Sequence, residues 1–245
     1  TLIGPNGGGK STLVEAFSKF TPNNVSFTEG KRNKLAGDRV AISITNEEDQ
    51  ISIIRTVKSG GSEIEKINTS KLPLIYYLPA RRVFSPYFGK NPWDRNTYLQ
   101  NPEQTQFRAN VSNNFTYRLF TALENSEEYN KVFWRVLGKE LNWTIDQNDS
   151  NQYYIKVLKE NTLSHNSDGL GEGVISLMFI CDALYDSKDN ETIVIDEPEL
   201  SLHPQLQVRL LDEILDFTKK NQIVISTHSP IMMSIESAIN GEKSD

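Results

Sequence analysis

Gly4-Pro5-Asn6-Gly7-Gly8-Gly9-Lys10-Ser11 satisfies every fixed position of the G-x-x-x-x-G-K-[ST] phosphate-loop pattern. Leu2 and Ile3 before it read as the end of an apolar strand, and residues 10–20 after it read as a helix. The motif therefore stands where a strand turns into a helix. Glycines let successive backbone N–H groups turn toward a common anion, and the helix N-terminus adds its partial positive charge. On this reading Asn6, Gly7, Gly8 and Gly9 line the phosphates, and Lys10 reaches the β and γ phosphates. The Ser11 hydroxyl coordinates Mg²⁺, and Thr12 meets the α phosphate. A glycine-rich turn with a surface lysine is the bland alternative, and the strand-loop-helix context argues against it.

Glu191-Thr192-Ile193-Val194-Ile195-Asp196-Glu197-Pro198 is an apolar strand that delivers two adjacent carboxylates at its C-terminal end, where open α/β sheets bind ligands. Asp196 offers a hard oxygen to Mg²⁺, and Glu197 is placed to orient and deprotonate a water. A second apolar strand over 223–226 runs into Thr227-His228-Ser229-Pro230 and sets an imidazole at the same edge. His228 can donate to a γ-phosphate oxygen without being the base. His203 follows the acids and is a candidate subunit contact, while His165 reads as a surface residue.

At 245 residues the chain suits one large domain, or one core carrying an insertion. With 26 basic and 32 acidic residues, the net charge of −6 has the wrong sign for a uniformly basic nucleic-acid coat. Any nucleic-acid contact must be local. The single cysteine, Cys181, excludes an intrachain disulfide and a cysteine-based zinc cluster, and reads as a small buried hydrophobe on a helix. No apolar run reaches the roughly 18 residues that span a bilayer. A cytoplasmic protein without a membrane partner is expected. The first motif begins only three residues after Thr1, which is not Met, and the chain stops soon after His228, so further residues are expected at both ends.

Residues 40–68 alternate apolar and polar in an antiparallel hairpin or three-stranded meander. Residues 74–78 form a short apolar run between Pro73 and Pro79, expected to return the chain to the main sheet. Between 81 and 160, Phe107, Val111, Phe115, Leu119 and Leu123, then Tyr129, Val132, Phe133 and Val136, mark helical stripes. A helical insertion is expected there. Its aromatics and Arg81, Arg82, Arg95 and Arg108 could also stack bases, although core packing explains the pattern better. Helices over 170–185, over 204–219 and from 230 onward alternate with strands over 192–195 and 223–226. The fold class is α/β: a mostly parallel sheet flanked by helices, with an antiparallel β segment and a helical insertion.

These motifs together resemble the ABC-type ATPase heads, in their soluble SMC-like branch. The 4–11, 193–198 and 226–230 segments resemble that family's Walker A, Walker B and His-switch motifs. More narrowly, Glu197-Pro198-Glu199-Leu200, with Leu202-His203-Pro204 and 226–230, resembles the overcoming-lysogenization-defect (OLD) nucleases and related bacterial defence ATPases. The resemblance covers 1–20 and 160–235. It implies a P-loop NTPase of ABC-ATPase type spanning 1–245, with lobes over 1–80 and 161–245 around the insertion at 81–160. It also implies ATP and Mg²⁺ as ligands, and a signature segment facing the nucleotide of a second copy. Ser167-Asp168-Gly169-Leu170-Gly171-Glu172-Gly173 is the candidate, with Ser167 and Gly169 the first choices for contact. It departs from the usual Leu-Ser-Gly-Gly-Gln form. No glutamine is assigned to the family's glutamine loop, whose place Tyr77-Leu78-Pro79-Ala80-Arg81-Arg82 would occupy.

The leading expectation is an ATPase (ATP and water to ADP and phosphate) whose nucleotide-dependent dimerisation controls an effector domain or protein, in the resemblance a nuclease in antiviral defence. Glu197, His228 and Lys10 are its expected catalytic residues. The alternative is a RecF-like clamp that closes on DNA with ATP, in repair or recombination. A transporter subunit is disfavoured by the signature and the insertion, and a nuclease site within these residues because the ATP site accounts for the carboxylates.

Overall fold

A computed structural model describes residues 1–4, 8–17, 39–45, 51–57, 64–67, 75–82, 84–90, 108–158, 164–166, 170–187 and 189–233. Four strands form the central sheet: β1 (Leu2–Ile3), β5 (Ile75–Leu78), β9 (Thr192–Asp196) and β10 (Gln222–Thr227). They pair in the order β1-β10-β9-β5, and every pairing is parallel. All five residues of β9 are buried, which explains its uninterrupted apolar run before Asp196.

Helix α1 (Lys10–Phe17) opens at the end of the phosphate loop and packs on β5, β9 and β10. Val14, fully buried, meets Ile75 and Val194 there. Strands β2 (Arg39–Thr45), β3 (Ile51–Val57) and β4 (Ile64–Ile67) make the expected antiparallel meander, in sequential order.

The 81–160 segment departs in part from its helical reading. Helices α2 (Arg108–Glu124) and α3 (Ser126–Leu137) are present. Of the first expected stripe, Phe115 and Leu119 are buried and Leu123 is partly buried, whereas Phe107 lies outside the described residues. Tyr129, Val132, Phe133 and Val136 are all buried. The chain then turns to β: β6 (Asn142–Gln147) pairs antiparallel with β7 (Tyr153–Leu158), and β7 with β8 (Ser164–Asn166). The reversal between β6 and β7 is set locally. The Asn148 side chain accepts from the N–H groups of Ser150 and Gln152, and Asn151 takes a left-handed φ of 59°.

Helix α4 (Glu172–Tyr185) joins the two halves of the core. Residues Ile175 to Leu184 are buried without interruption, so it is apolar nearly all round, as a helix sandwiched between layers must be. One side packs on β5 and the other on α2 and α3. Phe179 stacks on Phe115 with ring centroids 3.8 Å apart. A buried ion pair joins the same layers. Arg118 on α2 donates from Nη2 and Nε to the Asp182 carboxylate on α4, and its Nη2 also donates to the Tyr76 hydroxyl on β5 at 2.6 Å. Cys181 is buried on α4, and burial pushes its thiol well above the usual range, with Glu213 and Asp182 adding to the effect. Helix α5 (Pro204–Phe217) packs on α3, and a single 3₁₀ turn, Pro230–Met232, stands where a helix is expected. Among the described residues no helix is long and apolar enough to cross a membrane.

Candidate functional site

Strand register brings the motifs to one edge. Leu2 pairs with Ser226, and Ser226 with Asp196, so these three residues form one row across β1, β10 and β9. Adjacent strands lie about 4.8 Å apart. The chain leaves all three strands within a residue of that row. The phosphate loop, the 228–230 segment and the carboxylate turn therefore emerge side by side. That is the C-terminal edge of a parallel sheet, where helix N-termini and loop N–H groups gather.

At the first exit, Gly9 has φ +83°, a left-handed conformation that disfavours any residue with a Cβ. Leu13 N–H donates to the Gly9 carbonyl at 3.0 Å, starting α1 directly from this turn. Lys10 Nζ donates to the Gly4 carbonyl at 2.6 Å, folding the ammonium back over its own loop. Gly8, Gly9, Ser11 and Thr12 are exposed, whereas Asn6 and Gly7 lie outside the described residues.

At the second exit, Asp196 is 3% exposed and its carboxylate accepts from the Ser226 hydroxyl of the neighbouring strand. Glu197 is only partly buried and has φ +46°, an unusual basin for a residue with a Cβ, costing about 1–2 kcal/mol. Its N–H donates to the Ser226 carbonyl at 2.8 Å, and its carbonyl accepts from Leu200 N–H at 3.2 Å. His228, exposed at the third exit, places Nε2 3.4 Å from Glu197 Oε1.

Two residues that the sequence reading did not place in the site, Glu199 of the resemblance motif and Arg82 of the arginine-rich segment, hold this turn. Glu199 Oε1 accepts from Thr227 Oγ1 at 2.7 Å, from His228 N–H at 2.7 Å and from Ser229 N–H at 3.1 Å, tying the carboxylate turn to the histidine loop. Arg82 Nη2 donates to the carbonyls of Asp196, at 2.9 Å, and Glu197, at 3.1 Å. Its Nη1 donates to Ser176 Oγ on α4 at 2.8 Å. Burial pulls the Arg82 guanidinium down to about 10, against the opposing pull of Asp196, Glu199, Glu197 and Tyr77, so it stays charged at neutral pH. The sequence signal was the Arg81-Arg82 pair soon after the apolar run that ends at Leu78.

Of the signature candidates, Ser167 and Gly169 lie outside the described residues, and α4 begins at Glu172 rather than at 170. A Cβ on Gly173 would meet the Ser201 carbonyl oxygen at 2.4 Å, so the first turn of α4 lies directly against the turn that follows the carboxylates. Exposed His203 caps α5, its Nδ1 accepting from Gln205 N–H at 3.4 Å. His165 is in β8, and its side chain lies outside what is described.

The donor set fits Mg²⁺, which prefers hard oxygens: the buried Asp196 carboxylate is already oriented by Ser226, and the Ser11 hydroxyl sits in the first turn of α1. Asp196 and Ser11 are the residues that would hold the ion.

A protein-family model described as "AAA domain, putative AbiEii toxin, Type IV TA system" matches residues 38–234, taking in the carboxylates and His228 and starting after the phosphate loop. No curated protein matches the sequence. Among solved structures, the SMC head bound to the C-terminal winged-helix domain of ScpA aligns with a TM-score of 0.56 at 14% identity, over 95% of this chain and 82% of that one. The Pyrococcus furiosus SMC head, with an extended coiled coil and bound to the C-terminal domain of ScpA, aligns with a TM-score of 0.55 at 13% identity, over 95% and 84%. At such identities the likeness speaks for the fold alone, that of the SMC head domains. On the strength of the family match, which covers most of its length, the chain belongs to this AAA-domain family.

Proposed function

We propose that the protein is an ATP-hydrolysing switch, with the sheet edge at Gly4, Glu197 and His228 as its reaction site. The observation that carries this reading is the register: Leu2, Ser226 and Asp196 stand in one row, so the phosphate loop, the carboxylates and the histidine converge.

In this reading Asn6, Gly7, Gly8, Gly9 and Lys10 cradle the phosphates, and Thr12 meets the α phosphate. Lys10 exchanges its bond to the Gly4 carbonyl for a phosphate oxygen, a charge-assisted bond stronger than the neutral one it leaves. Asp196 and Ser11 hold Mg²⁺, which when bound polarises the phosphoryl group as a Lewis acid. Glu197 takes the proton of the attacking water at a carboxylate oxygen. His228, within reach of that carboxylate, donates to the γ phosphate and reports its loss. Ser167 and Gly169 of a second copy close the outer face, making ATP the glue of a dimer. The dimer governs an effector, in line with the toxin of the family description and with the resemblance to OLD-type defence nucleases.

Titration calorimetry of Mg-ATP into the parent and Lys10→Ala tests the reading. The substitution should weaken binding at least about tenfold, the equivalent of one hydrogen bond to a charged group. Equal affinity would overturn it.

A further inference from the structure

Arg82 stands where three parts of the molecule meet. It follows β5, grips the carbonyls at the end of β9, and reaches Ser176 in α4. Among the described residues its hydrogen bonds go to two carbonyls and one hydroxyl, and none goes to the carboxylates beside it. It therefore holds the shape of the backbone at this point.

A carbonyl's direction follows the ψ angle of its own residue, so one planar Nη2 amino group bonded to two successive carbonyls restrains ψ at both Asp196 and Glu197. Arginine suits this task, because its donors are arranged in a rigid plane. The Glu197 carbonyl also accepts from Leu200 N–H, so the same atom anchors the next turn. Glu197 sits in the left-handed basin, which it would leave without support. Leaving it would re-aim its Cβ, and the carboxylate with it. On the α4 side, a cavity of about 680 Å³ separates the 80–86 segment from the start of the helix, with Arg82, Leu170, Glu172 and Ser176 among its lining. The Arg82–Ser176 bond is a direct link beside that space.

We propose that Arg82 is a positioning residue that locks the Glu197 peptide in its left-handed conformation. Through Ser176 it makes that lock depend on the seating of helix α4. This rests on the reading of Glu197 as the base. It adds a regulatory path: whatever moves the start of α4, a second copy of the chain above all, changes the aim of Glu197 without touching it.

The experiment compares Arg82→Met, Arg82→Lys and Ser176→Ala for Mg-ATP affinity, turnover and amide exchange at Leu200 and Leu202 in the nucleotide-free protein. In Arg82→Met, turnover should fall about 100-fold, the scale of an ångström-sized misplacement, with affinity held within about threefold. The Leu200 and Leu202 amides should exchange about tenfold faster, with exchange in β6 and β7 unchanged. Arg82→Lys, a point charge on a flexible stem, should recover only part of the turnover, and Ser176→Ala, which spares the carbonyl grip, should lose less than Arg82→Met. Parental turnover and exchange in Arg82→Met would overturn the proposal; if that variant fails to fold, parental exchange at Leu200 in Arg82→Lys would do the same. Should Glu197→Gln itself turn over ATP like the parent, the reading of the base fails, while the exchange data still decide whether Arg82 holds the turn.

Discussion

Glu199 Oε1 accepts the backbone N–H of His228 at 2.7 Å, and with it the Thr227 hydroxyl and the Ser229 N–H. One carboxylate oxygen from the turn after β9 thus collects three donors from the turn after β10. The other oxygen, Oε2, is buried with no hydrogen-bond partner among the described residues. The stretch that carries His228 is consequently held to the stretch that carries Glu197 by a side chain standing two residues from the proposed base.

Glu199→Ala should deprive the Thr227 hydroxyl and the His228 N–H of their acceptor, leave Ser229 N–H with Thr227 Oγ1 alone, and loosen the histidine loop. Hydrogen bonds to a charged group are worth about 1.5–3 kcal/mol, so a stability loss of about 2–3 kcal/mol is expected, with turnover reduced at least tenfold. Glu199→Gln keeps an accepting oxygen at the same place and should retain most of both. Urea unfolding and steady-state ATPase assays on the pair check this, and equal behaviour of the two variants would refute it.

Breaking the buried Arg118–Asp182 pair should be costly. Asp182→Asn leaves the guanidinium, 4% exposed, with only the more exposed Asp186 carboxylate at 3.8 Å as counter-charge, and removing the buried partner of such a pair typically costs about 3–5 kcal/mol. Arg118→Met combined with Asp182→Leu should lose less than Asp182→Asn alone. Denaturant midpoints of the three proteins measure the difference.

How much of this is legible in the sequence depends on how locally each feature is encoded. Strands β9 and β10 announce themselves, because parallel strands buried on both faces need continuous apolar runs, and the residues that end them carry the chemistry. The β6–β7 pair is harder to read. Trp143 and Ile145 alternate with polar neighbours over only six residues, directly after a strong helical stripe that ends at Leu137. The Asn148-Asp149-Ser150-Asn151 turn was the available signal. The arginine pair after an apolar run and the acid at 199 are visible in the sequence, but neither shows what Arg82 and Glu199 hold. Apart from Ser176 Oγ and Thr227 Oγ1, their partners are backbone groups distant in sequence, which any residue type at those positions would present.

A dimer that shares its sites should reveal itself by mixing. Lys10→Ala lacks the cradle and a bulky substitution at Gly169 spoils the proposed signature, yet a mixed dimer retains one site with both intact. Partial recovery of ATPase activity on mixing is expected. No recovery from demonstrated mixed dimers would count against sharing between copies.

In the proposed function, the edge formed by Lys10, Asp196, Glu197 and His228 hydrolyses ATP with Glu197 as the base. The most direct measurement is single-turnover hydrolysis by Glu197→Gln beside the parent, with Mg-ATP affinity determined on the same samples. The amide keeps the carboxylate's shape and lacks its basicity, so affinity should stay within about threefold while the rate falls about 10²- to 10⁴-fold. Hydrolysis at the parental rate by the Glu197→Gln protein would contradict the role of Glu197 as the base.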